Sequence, residues 1–259
     1  MNSSTPRALL LSMVLMLCAC TTTTPPAQAP ATPSWTPLTE SVTPIANTEW
    51  WAKWWVPRHE EKLAEIRQLR AEKKNIEVVF LGDSITQGWE KEGVNVWNRE
   101  YRKYNALNLG FSGDRTEHVL WRLQNGEVDG IHPKVVVVMF GTNNTGHRHE
   151  AAQSTAAAIK RDLDELRQHL PDTRILLLAI FPREANPDHE FRRINEEINR
   201  ILSGYADNKK TFFLNINKAL LNADGTLSKD IMPDLLHPNE KGYEIWAREM
   251  APELQKLLQ

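Results

Sequence analysis

Residues Val78 to Gly88 read VVFLGDSITQG, and the reading of the chain grows out of them. The apolar run Val78, Val79, Phe80, Leu81 stops at Gly82, and Asp83, Ser84 and Ile85 follow. A short apolar run rich in β-branched and aromatic residues, closed by glycine, predicts a buried strand. In an open α/β sheet, ligands are handled beyond the carboxyl ends of the strands. Ser84 falls at such an end and is the candidate nucleophile.

On either side, strand-like and helix-like segments alternate. A charged, helix-favouring run extends from Pro57 to about Lys74, and a mixed loop and short helix from Trp89 to Tyr104. Asn105 to Gly110 predicts a second strand, and Thr116 to Gln124 a helix with Val119, Leu120 and Leu123 on one face. Val135 to Phe140 (VVVVMF) is apolar on both faces, as a central parallel strand must be. It ends in Gly141-Thr142-Asn143-Asn144. Beyond it come a helix over 151–170, a strand over 174–180, a helix over 190–202, a strand over 211–215 and a last helix over 239–258. The pattern predicts an α/β fold with a parallel sheet, helices on both faces and right-handed crossovers, in a single domain without internal repeats.

A serine hydroxyl is a poor nucleophile until a base takes its proton, and that base is usually a histidine oriented by a carboxylate. Asp234-Leu235-Leu236-His237-Pro238 offers both. Residues three apart share one side of a helical turn, and Pro238 as first helical residue would fix His237 at the helix entrance. Asp129-Gly130-Ile131-His132-Pro133 repeats the spacing. It precedes the Val135 strand, however, so it belongs at the amino edge of the sheet, a strand length from Ser84. The oxyanion that forms on an attacked carbonyl needs donors. The Ser84 amide, the Gly113 amide and the Asn143 side chain are candidates at strand ends; alone, Gly113 reads equally as a turn and Asn143 as a helix cap. His147-Arg148-His149-Glu150 could start a metal site, but two histidines without a third ligand in view read as a polar loop. No metal and no organic cofactor is expected.

Together these pieces resemble the SGNH superfamily of hydrolases, also called GDSL esterases. Gly82-Asp83-Ser84-Ile85, Gly113 within Phe111-Ser112-Gly113-Asp114, Gly141-Thr142-Asn143-Asn144 and Asp234-Leu235-Leu236-His237 match its four blocks in order. The resemblance covers about Val78 to the C-terminus. It implies a three-layer α/β/α, flavodoxin-like sandwich with five parallel strands. It also implies Ser84 as nucleophile, His237 as base, Asp234 as its orienter, and an oxyanion hole of Ser84, Gly113 and Asn143. Within the superfamily, Asn108 to Asn144 is most similar to the catalytic subunits of platelet-activating-factor acetylhydrolase Ib, including the run Thr116 to Gly126. That relation implies a small acyl group, acetyl above all, and leaves the alcohol open between acetylated sugar and lipid. Those subunits pair, so an oligomer is compatible with the reading. One departure is Asn144, where the asparagine block often has Asp.

The front of the chain reads as an export signal. Arg7 precedes an apolar run from Ala8 to Leu17, too short to span a membrane, that ends in Leu17-Cys18-Ala19-Cys20. This resembles the lipobox of bacterial lipoproteins, which implies cleavage after residue 19 and a lipid on Cys20. Cys18 and Cys20 are the only cysteines, so the mature domain has no disulfide framework. Residues 20–48, rich in Thr, Pro and Ala, read as an extended tether that would hold the domain (49–259) off a membrane surface in the cell envelope. Glu49 to Trp55 carries Trp50, Trp51, Trp54 and Trp55. Trp51, Trp54 and Trp55 suit one helical face, where packing is the expected role and stacking on sugars or touching lipid the alternative.

The formal net charge of −2 over 259 residues gives no support for a nucleic-acid partner. The substrate expected is a small-molecule or glycan acyl ester. An acyltransferase would use the same residues. A non-catalytic glycan-binding lipoprotein would have no use for nucleophile, base, acid and donors together.

Overall fold

Five strands form the centre of the molecule: β1 (Val78–Gly82), β2 (Leu107–Gly110), β3 (Val135–Met139), β4 (Arg174–Leu178) and β5 (Thr211–Leu214). All pair in parallel in the order β2-β1-β3-β4-β5. This is the flavodoxin-like arrangement, with the order reversing between β1 and β3. The computed structural model describes residues 1–2 and 37–259. Residues 3–36, with Cys20, nearly all of the export signal and most of the tether, lie outside the described residues.

The helices are α1 (Thr39–Val42), α2 (Trp55–Ala71), α3 (Ser84–Gln87), α4 (Val94–Glu100), α5 (Thr116–Gln124), α6 (Thr142–Arg148), α7 (Ala152–His169), α8 (Glu190–Leu202) and α9 (Glu240–Leu258). Successive strand side chains point to opposite faces, and here both faces are apolar. Val79, Leu81, Leu107, Leu109, Val136, Val138, Ile175 and Leu177 feed one core, covered by α2, α5, α7 and α8. Val78, Phe80, Val135, Val137, Met139, Leu176 and Leu178 feed the other, under Val96 of α4 and Tyr243, Trp246, Met250 and Leu254 of α9. Burying each such side chain is worth roughly 1.5–3 kcal/mol, so the sheet's two-sided apolar pattern drives the layering. The expected three-layer α/β/α sandwich is the fold observed.

Two sequence expectations need correction. The tether read over 20–48 does not extend through its last part. From residue 37 the chain packs onto the domain: Leu38 N–H donates to Ser154 Oγ (2.8 Å), buried Ser41 donates to Glu150 (2.8 Å), and Asn47 is buried. The segment can dock this way because the Leu38 N–H and the Ser41 hydroxyl each find a hydrogen-bond partner on the domain. The second correction concerns Pro238. Helix α9 starts at Glu240 with Asn239 as its cap, accepting from the Gly242 N–H (3.2 Å). Asp234 to His237 therefore forms a turn ahead of the helix, with Leu235 at φ +61, rather than the first helical turn.

Candidate active site

Ser84 opens α3 at the carboxyl end of β1, where Asp83 caps the helix by accepting from the Ile85 N–H (3.0 Å). The serine is thereby held at a strand-to-helix turn with its side chain facing a cleft. Helix α9 locks this turn from the far end of the sequence, as Tyr243 Oη donates to the Ile85 carbonyl (2.7 Å). The same contact brings the turn before α9 over the serine. Ser84 Oγ lies 2.9 Å from His237 Nε2, and His237 Nδ1 lies 2.6 Å from Asp234 Oδ2. Asp234 Oδ1 meanwhile accepts from the Leu236 and His237 N–H groups (3.0 and 2.7 Å). The two carboxylate oxygens thus act separately, Oδ1 shaping the turn and Oδ2 orienting the ring. Burial pushes the Asp234 carboxyl up, but the His237 ring and the backbone donors outweigh it and hold it below its ordinary value.

The competing Asp129/His132 pair stands where the sequence predicted, just ahead of β3. Asp129 pairs instead with His169 Nδ1 (3.0 Å). Among the described residues, His147, His149 and Glu150 do not gather into a ligand set. Arg148 binds Glu117 and Glu150 (2.8 and 2.9 Å), Glu150 accepts from Ser41, and the His149 ring sits 4.6 Å from Phe191.

The three candidate oxyanion donors follow β1, β2 and β3 and so flank the reversal of strand order. Among the described residues, neither the Ser84 N–H nor the Gly113 N–H donates to a protein acceptor. Gly113 has φ +77, a conformation that glycine alone adopts without cost. Asn143, in the first turn of α6, gives one amide hydrogen to the Asp114 carbonyl (2.9 Å), which leaves its second free.

Beneath these loops lies a buried charged knot. Arg122, fully buried on α5, donates through Nε to Asp114 Oδ2 (2.8 Å) and through its terminal nitrogens to Glu127 and to the carbonyls of Leu109 and Gly82 (both 3.2 Å). Trp55 Nε1 donates to the other Asp114 oxygen (2.5 Å). One guanidinium thus ties the ends of β1 and β2 to the loop that carries Gly113. Arg122 falls three residues after Val119, on the side of α5 that the apolar spacing marks as buried, and that was the sequence signal for it.

The Trp cluster divides. Trp55 is 0% exposed and packs on Phe111 and Trp121 (5.5 and 5.3 Å), as expected. Trp51 and Trp54 line the cleft instead, and Trp50 is 82% exposed. The cleft is a cavity of about 940 Å³ lined by Ser84, His237 and Asp234, by Trp51, Trp54 and Tyr243, and by polar residues such as Arg58, Gln87 and Asn239. Pro57, Pro233 and Pro238 line it as well, and among the described residues no Leu, Ile, Val, Met or Phe does.

The chain belongs to the GDSL-like lipase/acylhydrolase family, which matches residues 80–245. It is 35% identical to the platelet-activating factor acetylhydrolase IB subunit alpha1 of Bos taurus over 207 residues, 79% of this chain and 84% of that one. It is 31% identical to the alpha2 subunit of Rattus norvegicus over the same length, covering 85% of that chain. Solved structures of the same fold include a catalytic mutant of an acetylxylan esterase from Geobacillus stearothermophilus. Its TM-score is 0.56 at 20% identity, covering 69% of this chain and 93% of that one. A GDSL-like lipase from Bacteroides thetaiotaomicron aligns with a TM-score of 0.55 at 21% identity, covering 74% and 98%. The chain is an acylhydrolase of this family, as its four blocks implied.

Proposed function

We propose that this acylhydrolase is a serine esterase that removes short acyl groups, acetyl above all, from carbohydrate, with Ser84, His237 and Asp234 as its triad. The observation that carries this reading is the cleft: the Ser84–His237–Asp234 chain opens into a wide cavity whose wall, among the described residues, has three prolines (Pro57, Pro233, Pro238) but no Leu, Ile, Val, Met or Phe. A long acyl chain is stabilised by aliphatic contact, at roughly 0.8 kcal/mol per buried methylene, and this cavity offers little of it beyond its three proline rings. Aromatic rings and hydrogen-bonding side chains suit a hydroxyl-rich alcohol instead.

The reaction runs in two halves. His237 Nε2 takes the Ser84 Oγ proton as Oγ bonds to the ester carbonyl carbon. The carbonyl π electrons move to oxygen, and the oxyanion is held by the Ser84 N–H, the Gly113 N–H and the free Asn143 amide hydrogen. Collapse breaks the bond to the alcohol oxygen, which receives the proton from His237. Water then gives a proton to His237 as it attacks the acyl carbon; collapse breaks the acyl–Oγ bond, His237 returns the proton to Ser84 Oγ, and the acid leaves. Asp234 keeps the ring proton on Nδ1 throughout, so that Nε2 is free to accept.

The N-terminal sequence supports export and a lipid on Cys20, which would place the domain at the cell envelope beside acylated glycans. A second reading, a lipid acetyl ester as substrate, is favoured by the names of the acetylhydrolase relatives. The test is acetate release by the full chain from acetylated xylo-oligosaccharides and from an acetylated glycerophospholipid, with Ser84→Ala beside each. The proposal predicts Ser84-dependent release that is faster from the oligosaccharide. Faster release from the phospholipid would replace it with the second reading.

A further inference from the structure

One wall of the Ser84 cavity comes from the segment ahead of the family match, which begins at residue 80. Trp51 stands in that wall. A Cβ placed on Gly113 would come within 2.3 Å of the outer carbon of the Trp51 benzo ring. The indole therefore rests directly on the glycine proposed above as an oxyanion donor. On another side its edge meets the His147 ring, with centroids 6.4 Å apart at 74°. Trp51 is nonetheless 37% exposed and lines the cavity together with Trp54, Ser84 and His237.

The ring is presented by a rigid frame. Upstream, Ser41 and Asn47 are buried; downstream, Trp55 is fully buried and bonded to Asp114. The polar groups beside it are equally fixed. Arg58 is held by both Glu90 oxygens (2.9 Å) and by the Gly110 carbonyl (3.0 Å), and Gln87 Oε1 accepts from the Ser112 N–H (2.7 Å). A fixed indole surface flanked by fixed hydrogen-bonding groups matches a pyranose or furanose ring, with C–H bonds on the aromatic side and hydroxyls on the polar side. A membrane contact fits less well, because the most exposed indole among the described residues, Trp50, is absent from the cavity wall.

We infer that Trp51, with Trp54 beside it, forms a sugar-binding subsite that selects esters of carbohydrate by stacking the ring that carries the acyl group. The inference rests on the proposed esterase reading for the identity of the reacting bond. Trp51 is a specificity-determining residue here, and the segment that delivers it precedes the residues that the family model matches.

The test uses the full chain with Trp51→Ala, Trp51→Phe and Trp50→Ala. Each is assayed for kcat and KM on acetylated xylo-oligosaccharides and on ethyl acetate, whose alcohol is too small to stack. Trp51→Ala lowers the ratio of kcat/KM for oligosaccharide over ethyl acetate by roughly 10-fold, chiefly through KM. Trp51→Phe recovers part of the ratio, and Trp50→Ala leaves it in place. Equal losses on both esters would reduce Trp51 to a prop for Gly113 and overturn the subsite. So would an unchanged ratio, or lost binding to phosphatidylcholine vesicles with unchanged oligosaccharide kinetics. A second readout does not depend on turnover. Ser84→Ala titrated with xylotetraose, cellotetraose and chitotetraose changes its tryptophan emission with at least one of them, and adding Trp51→Ala abolishes the change. Binding without any Ser84-dependent hydrolysis would sink the esterase reading and keep the subsite; no emission change with any of the three would sink the subsite alone.

Discussion

Asn143 and Asp114 are joined by a 2.9 Å hydrogen bond from the asparagine amide to the aspartate carbonyl. The loops after β2 and β3 are thereby one unit, and Asp114 extends it through its carboxylate to Arg122 on α5 and Trp55 on α2. Two candidate oxyanion donors separated by thirty positions in the chain (113 to 143) are fixed against each other before any substrate arrives. Preorganised donors of this kind are worth more than donors that must be ordered during the reaction.

Asn143→Ala removes one donor and the tie to Asp114 together. The expected loss in kcat is on the order of 100- to 1000-fold, with KM little changed. Steady-state kinetics on an acetyl ester measure it. Near-normal kcat would leave Asn143 a purely structural role.

Asp234→Asn separates the two roles of the carboxylate. The amide oxygen can still accept from the Leu236 and His237 N–H groups, so the turn survives. Its NH₂ then faces Nδ1, which must become an acceptor, and the ring proton moves to Nε2. Nε2 can no longer take the Ser84 proton. Loss of kcat by roughly 1000-fold or more follows, with an unchanged melting temperature. A large drop in stability instead would mean that the turn had failed.

Arg122→Met tests the buried knot. It leaves the Asp114 and Glu127 carboxylates without their shared cation in a fully buried site. Breaking a buried pair by removing one partner costs about 3–5 kcal/mol, and urea unfolding reads it directly. A change below about 1 kcal/mol would show that the knot is dispensable.

Asp83→Asn carries a pH signature. Burial raises the Asp83 carboxyl from its ordinary 3.8 to about 6, against the pull of the Ile85 N–H. Between those values the folded state holds the proton more tightly than the unfolded chain, so stability falls as pH rises through the window and stays lower above it. Asparagine keeps the cap and removes the charge. The variant should gain melting temperature over the parent at pH 7 and show little difference at pH 3.5. The full linkage is on the order of 3 kcal/mol, less the cost of an unpaired NH₂. A gain that is equal at both pH values would rule out Asp83 as its source.

Much of this was legible in the chain. Two-sided apolar runs marked β1 and β3 because central parallel strands must bury both faces. The helix Glu190–Leu202 was placed to the residue, since the amphipathic spacing of Ile194, Ile198 and Ile201 coincides with its bounds. The predicted strand over 105–110 starts late, at Leu107, because Asn105 turns left-handed (φ +46) to close the preceding turn. What stayed hidden depends on contacts far apart in sequence. Nothing local to Thr39–Asn47 shows that it docks on Glu150 and Ser154, since its hydrogen-bond partners lie about a hundred residues away. Likewise the Trp spacing announced a face but not its division, because only the tertiary packing shows that Trp55 is buried while Trp51 and Trp54 become cavity wall.

The most direct test of the central claim is hydrolysis of a p-nitrophenyl ester series, acetate to octanoate, by the full chain with Ser84→Ala alongside. A short-acyl serine esterase gives a steep fall beyond acetate or propionate, and loss of turnover in Ser84→Ala with the fold intact. Rates that rise toward octanoate, or comparable turnover in Ser84→Ala, would contradict it.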